Sequence, residues 1–246
     1  MEKDIEIKEC ETLDELAACV DLQREVFALP EIELSPVRHF VVTKNAGGFA
    51  LGAYSGNELV GFVLSVPAFL RGERAFYSHM TAVRQDFQSH GVGRKLKWSQ
   101  RERALDLGVK FVKWTYEPAK ARNAYFNLEK LGAIVTEYQP NFYGTDYGSE
   151  PETVGLPSDR LFAEWHLESP KVMSLSAGEK YIETRTVEGE IVVPPDWLGL
   201  IDADREAAVA ELARIRAEFL SAFGKSLIGG GFVRSDLEPK YLLYKA

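Results

Sequence analysis

The sequence predicts a mixed α/β fold, and three observations predict it. Short apolar or alternating runs suited to strands recur, with longer 3.6-period segments between them. Two of the helical segments stop at a glycine, Gly108 and Gly132, as αL helix ends do. A hairpin pattern also stands out: Phe49 to Tyr54, then Ser55-Gly56-Asn57-Glu58, then Leu59 to Val66.

The elements follow in order. Ile5 to Lys8 alternates as a short strand. Thr12 with Glu15 three residues later forms a capping-box pattern, and Leu13, Leu16, Ala17, Val20, Val26 and Phe27 continue at helical spacing. A second short helix begins at Ser35, with Pro36 at its first position. After the hairpin, Ala75 to Val83 is a third long strand. Val92 to Leu107 is a helix, Phe111 to Tyr116 a strand closed by Glu117-Pro118, and Ala121 to Leu131 a helix. Ile134 to Tyr138 and Leu161 to Leu167 are strands around a turn-rich loop from Pro140 to Asp159. Past Ser169-Pro170 the texture changes. Lys180 to Val193 suits one or two strands, and Ala203 to Phe223 is a strong helix. Gly229-Gly230-Gly231 precedes strand-like Phe232-Val233-Arg234, and Tyr241 to Tyr244 closes the chain. The domain reading is therefore 1–168 as the main domain and 169–246 as an extension of strand, long helix and two short strands.

Composition bounds the function. The chain has 246 residues, 46% hydrophobic and 27% charged, with a net charge of -8, which argues against bulk binding to nucleic acid or an anionic membrane surface. Cys10 and Cys19 stand nine apart on different elements, so reduced thiols and a cytoplasmic setting are expected. Met1-Glu2-Lys3-Asp4 carries no apolar signal core, and no run approaches the roughly 20 apolar residues of a membrane span. His39, His79, His90 and His166 show no metal-ligand spacing, and no metal is expected.

The most informative stretch is "AVRQDFQSHGVGRKLK", Ala82 to Lys97. A strand feeds a glycine-containing turn and a helix starts at once. Backbone N–H groups at a helix start lack intrahelical partners, and the helix dipole favours anions there. Glycines let a ligand approach the backbone closely. The expected ligand group is a phosphate or pyrophosphate, with Arg94, Lys95 and Lys97 able to add charge. A plain turn is the competing reading. Neither a P-loop pattern nor Gly-x-Gly-x-x-Gly is present, because Leu96 stands three past Gly93.

Gln88-Ser89-His90-Gly91-Val92-Gly93 resembles the Gln/Arg-x-x-Gly-x-Gly/Ala signature of the GNAT acyltransferase superfamily, and the element order over residues 5 to 168 is similar to that family's. "ARNAYFNLEKLGA", "NFYG" at 141–144 and "PSDRLFAEW" at 157–165 resemble a bacterial subgroup that carries a similar C-terminal extension. The resemblance implies a central mixed sheet flanked by helices. It implies acetyl-CoA or another acyl-CoA as cosubstrate, with Gln88, Ser89, His90, Gly91, Val92, Gly93 and Arg94 around its pyrophosphate. Ala82 and Val83 would pair with the pantetheine arm like an added strand, and Asn123 would stand near it. It implies direct acyl transfer to the amine of a small molecule or amino acid. A non-catalytic acyl-CoA sensor of the same fold is the alternative.

Such a transfer needs a base, carbonyl polarisation and an acid for the leaving thiolate. The family often carries an acidic base on the strand before the loop, and here that strand, Tyr77 to Val83, has none. His79 is the candidate base, against a structural core histidine; Glu117 is the second, against a solvated strand end. The family's usual acid, a tyrosine four residues before the helix-ending glycine, is Leu128 here. Tyr125, Tyr143 and Tyr116 are the substitutes, in that order. Arg160 can grip a carboxylate, or an Asp-Arg pair can tie down the long loop. The extension can cap the cleft, extend the sheet or form the face of a homodimer.

Overall fold

The computed structural model describes residues 5–27, 29–146 and 151–246. Met1 to Asp4 and residues 147–150 of the long loop thus lie outside the described residues. The chain divides into two compact units, Met1–Lys113 and Trp114–Ala246. That division falls inside a strand, elsewhere than the 168/169 boundary, which marks where the sequence resemblance ends.

In the first unit β1 (Glu6–Glu9), β2 (Phe49–Ser55), β3 (Glu58–Leu70) and β4 (Glu73–Val83) pair antiparallel in that order. β5 (Phe111–Tyr116) joins parallel, through Phe76↔Val112 and Tyr77↔Lys113. The mixed sheet is therefore as expected. Helices α1 (Leu13–Phe27) and α2 (Val37–Asn45) cover one face; Leu16, Cys19, Val20, Leu22 and Phe40 pack there with Phe62, Leu64 and Ala82. The capping box forms: Glu15 N–H donates to Thr12 Oγ1 at 3.2 Å, and Thr12 N–H donates to Glu15 Oε2 at 2.9 Å. The Thr12 and Glu11 amides hold the Glu15 carboxyl down at about 2. α2 begins one residue later than expected, with Pro36 as N-cap. Cys10 and Cys19 are both buried and free, their sulfurs 3.9 Å apart.

α3 (Val92–Asp106) covers the other face and buries Leu96, Lys97, Gln100 and Arg101. Lys97 donates to Ser78 Oγ at 3.0 Å and to Gln100 Oε1 at 2.6 Å; Gln100 Nε2 donates to Ser65 Oγ at 2.7 Å. Ser65 and Ser78 are partners across β3 and β4, so this polar row crosses the sheet. Leu64 and Met80, the next partners, face the α1 core instead. Ser78 and Met80 are two apart and should share a face. They do not, because His79 is an extra residue in β4, and the register shifts between Leu64 and Ser65.

In the second unit the strand order is β7 (Arg160–His166), β6 (Ile134–Gln139), β9 (Leu227–Val233), β10 (Lys240–Lys245), β8 (Gly189–Val192). The extension thus continues the sheet from β6, through Val135↔Gly229. Two expectations change here. The Gly229-Gly230-Gly231 run lies within β9, not before it. A Cβ at Gly229 would stand 2.4 Å from Val135 Cγ2, where a side chain would clash, and one at Gly231 3.0 Å from the Tyr244 hydroxyl, a tight contact. The helix expected from Ala203 to Phe223 is α7 (Arg205–Gly224), and a shorter helix, α6 (Trp197–Ala203), precedes it across Asp204, whose side chain caps α7 through Ala207 N–H at 2.9 Å. Ser169-Pro170 opens a further helix, α5 (Pro170–Ser176), with Pro at its first turn.

α7 is bolted to the loop by Asp159. Its buried carboxylate accepts from Arg216 Nε at 2.8 Å and Nη2 at 2.7 Å, from Tyr138 OH at 2.5 Å and from Asn141 N–H at 2.9 Å. Phe219 packs tilted on Tyr138 and edge-on to Tyr241 beside it, centroids 5.7 and 4.9 Å apart. The Asp-Arg tie therefore exists, but its arginine is Arg216 and not Arg160. Removing a buried carboxylate with four donors leaves all four unmatched. Asp159→Ala is expected to lower unfolding stability by roughly 3 kcal/mol, and Arg216→Ala by at least as much because it leaves the fully buried carboxylate without its counter-charge, both measured by urea denaturation.

Candidate active site

The loop after β4 is shaped by its own backbone. Ser89 and Gly91 take left-handed conformations, at φ 63° and 82°. Gln88 Nε2 donates to Val83 O at 3.0 Å and fastens the loop to the strand end. His90 Nδ1 donates to Gln88 O at 2.7 Å, so this exposed ring braces the turn from within. Gly91 is the N-cap of α3, and the first helical hydrogen bond recorded there runs from Lys95 N–H to Gly91 O at 2.9 Å. The amides of Val92, Gly93 and Arg94 precede that bond. A Cβ at Gly91 would meet nothing within 4 Å, and one at Gly93 would meet only Val83 Cγ2 at 3.8 Å. The space over the amides is thus open, and Arg94 and Lys95 are exposed beside it. Lys97 is not: it is buried under α3 and belongs to the polar row described above, which corrects its expected phosphate role.

Ala82 and Val83 pair with Phe62 and Gly61 of β3. On the opposite edge of β4 the recorded pairing covers Phe76 and Tyr77 only, among the described residues. The strand end before the loop therefore has backbone groups on one side only committed to the ladder.

His79, the extra residue of β4, is exposed and turns toward α2. Its Nε2 lies 3.2 Å from Ser35 Oγ, and its ring stands edge-on to His39, centroids 5.2 Å apart. It is thus not the buried core histidine of the competing reading. Crowding by the surrounding protein, and after it the His39 charge, pushes its imidazole down to about 4. The ring is neutral at neutral pH.

The other candidates lie in the second unit. Asn123 is exposed on α4 (Ala121–Tyr125). Tyr125 ends that helix, half-buried, with Lys130 Nζ 5.1 Å and the Arg234 guanidinium 5.9 Å from its ring centre. Residues 126–130 continue as a π turn, in which Leu131 N–H donates to Phe126 O at 3.1 Å. Leu128 is fully buried there, a core side chain and no acid. Tyr143 is 43% exposed; its hydroxyl lies 3.5 Å from Thr115 Oγ1 and the Arg160 guanidinium 5.2 Å from its ring centre. Tyr116 is corrected as a candidate. It is buried beside Tyr241, and burial raises its phenol above the ordinary range. Glu117 is not a solvated strand end: it pairs with Lys120 at 3.0 Å, each side chain 13% exposed, beside a small cleft lined by Thr153, Ser158 and Arg160.

Sequence reasoning missed the Ser35–His79–His39 cluster. A strand-period reading places His79 opposite its true face, and only the register shift reveals where it points.

The buried row under α3 generates a prediction. Burial pushes the Lys97 ammonium down to about 7, from 10.5. Between those values the unfolded chain holds the proton and the folded chain does not, so stability rises with pH across that window. The stability difference between the parent and Lys97→Met should move in the parent's favour as pH rises from about 7 toward 10.5, by denaturation at each pH.

Residues 14–133 match the Acetyltransferase (GNAT) family. No curated protein matches the chain. Among solved structures, the fold is similar to the ribosomal-protein-S18-alanine N-acetyltransferase of Escherichia coli, with TM-score 0.51 and 18% identity over 65% of this chain and 92% of that one. It is similar to yncA of Salmonella typhimurium, solved with acetyl-CoA, with TM-score 0.53 and 16% identity over 68% and 97%. It is also similar to a Bacillus subtilis acetyltransferase solved with CoA, with TM-score 0.51 and 20% identity over 67% and 99%. The strand, the Gly-x-Gly loop and the basic helix start lie in the family's order within residues 14–133, and that match supports membership of the GNAT acetyltransferase superfamily.

Proposed function

We propose that this protein is an acyl-CoA-dependent N-acyltransferase that moves an acetyl or similar short acyl group to the amine of a small molecule or amino acid, within a ternary complex. The observation that carries this is the loop from Gln88 to Arg94. It presents helix-start amides into open space, beside two exposed cations, at the end of a strand with a free edge. Bound acetyl-CoA and CoA in the Salmonella and Bacillus structures support the same ligand. The functional partition is 1–168 for acyl-CoA binding and 169–246 as an extension, and no helix among the described residues is long and apolar enough to cross a membrane.

An acyl-CoA supplies an activated thioester carbonyl. The chain's residues hold it and move protons. Amides of residues 92–94 and the Arg94 and Lys95 side chains take the pyrophosphate charge; the Ala82 and Val83 backbone takes the pantetheine amides, and Asn123 assists. His79 is the proton acceptor. An imidazole near 4 leaves a ground-state ammonium charged. The ammonium gives its first proton to water, the free amine attacks, and His79 then takes the second proton, because the new C–N bond makes the nitrogen strongly acidic. The acid limb of kcat/KM assigned to His79 should then lie below the ordinary imidazole range. Tyr125 is the proton donor to the thiolate, with Lys130 and Arg234 beside its ring. Tyr143 is the second candidate.

The sensor reading draws on two observations: Glu117 is already neutralised by Lys120, and Leu128 replaces the family's usual acid. A thiol-release assay with acetyl-CoA and succinyl-CoA over an amine panel separates the readings. Turnover that falls about a hundredfold in His79→Ala supports the enzyme. Tight CoA binding without turnover on any amine supports the sensor.

The loop has its own test. Gly91 needs its positive φ, so Gly91→Val strains the fold as well as the site. Gly93 does not, and Gly93→Val should fold normally while losing at least about tenfold in CoA affinity by calorimetry. Unchanged affinity would remove the loop assignment.

A further inference from the structure

We infer that Ser35, held by Gln23, is a positioning residue that fixes the tautomer of His79; the inference rests on the reading of His79 as proton acceptor. Gln23 is a fully buried side chain of α1. Its amide spends both ends on the backbone of one residue: Nε2 donates to Ser35 O at 3.1 Å, and Oε1 accepts from Ser35 N–H at 3.0 Å. A buried amide pair of this kind holds the Ser35 backbone in the α1–α2 connection as a ladder rung holds a strand. The only freedom left to Ser35 is its hydroxyl, and that lies 3.2 Å from His79 Nε2.

Ser35 Oγ can accept from Nε2 or donate to it; as the acceptor, it sets which ring nitrogen is bare. A neutral imidazole donates through one nitrogen and accepts through the other. With Ser35 Oγ as acceptor, Nε2 carries the hydrogen and Nδ1 holds the lone pair for the incoming proton. A histidine on an ordinary strand position would not meet Ser35. His79 does because it is the extra residue between Ser78 and Met80, which leaves its side chain on the α1–α2 face. His39, edge-on at 5.2 Å, closes the other side of the ring and limits its rotation. Base, orienter and anchor thus come from β4, the α1–α2 connection and α1, in the general form of a base oriented by a second hydrogen-bonded group.

The test reads the tautomer directly. Two-bond proton–nitrogen correlation spectra of the full chain, labelled at histidine nitrogen, give one pattern per ring, with His79 assigned by its loss in His79→Gln. The parent is expected to show Nε2–H with Nδ1 unprotonated. Ser35→Ala should give a mixed tautomer, and Ser35→Thr, which keeps the hydroxyl, should restore the parent pattern. On an amine found active in the panel, kcat should fall about tenfold in Ser35→Ala with KM for the amine unchanged, and recover in Ser35→Thr. An Nδ1–H tautomer in the parent, or the parent pattern kept in a folded Ser35→Ala, overturns the inference. A tautomer change in Ser35→Ala with unaltered turnover upholds the Ser35–His79 contact and overturns His79 as the proton acceptor.

Discussion

The single extra residue in β4 is the constraint on which the first unit depends. β3 and β4 must place Leu64 and Met80 in the α1 core and Ser65 and Ser78 under α3. Two residues of β3 therefore face three of β4, and the surplus residue is His79. One insertion does two things at once. It keeps both faces of the sheet correctly filled, and it pushes an imidazole out of the ladder toward Ser35 and His39. A bulge costs ladder hydrogen bonds, and the buried row Ser65–Gln100–Lys97–Ser78 braces the strand just beside it.

Below the bulge, β4 runs straight into the glycine loop, so the geometry of the strand end sets that of the loop. Gln88 returns to Val83, His90 bonds back to Gln88, and Gly91 turns left-handed to start α3. Each of these contacts is local in sequence, within five residues. The loop is for that reason a self-contained device, and its shape does not wait on distant packing. The anchoring of α3 is the opposite case, because the buried Lys97 amine has to find Ser78 nineteen residues earlier.

In the second unit, Asp159 plays the corresponding part. The long loop, β6 and α7 share one carboxylate, and the glycine-rich β9 slides in against Val135 where no side chain would fit. The extension is accordingly a continuation of the β6–β7 layer rather than a separately packed appendage. Tyr125 feels this directly, since one of the two cations beside its ring, Arg234, comes from the residue that follows β9.

The sequence by itself determined the local devices: the capping box of Thr12 and Glu15, the hairpin, the glycine helix ends, and the Gly-x-Gly loop between strand and helix. All of these are short-range patterns in which residue type and backbone angle are coupled within a few positions. The tertiary structure alone decided which face His79 takes, that Lys97 is buried while Arg94 and Lys95 are not, that Arg216 and not Arg160 holds Asp159, and that three glycines form the interior of a strand. The physical reason is common to all four. A one-residue register shift, a buried ammonium, an ion pair 57 residues apart and a Cβ-free strand are each chosen by partners far away in sequence, and strand or helix periodicity carries no information about those partners.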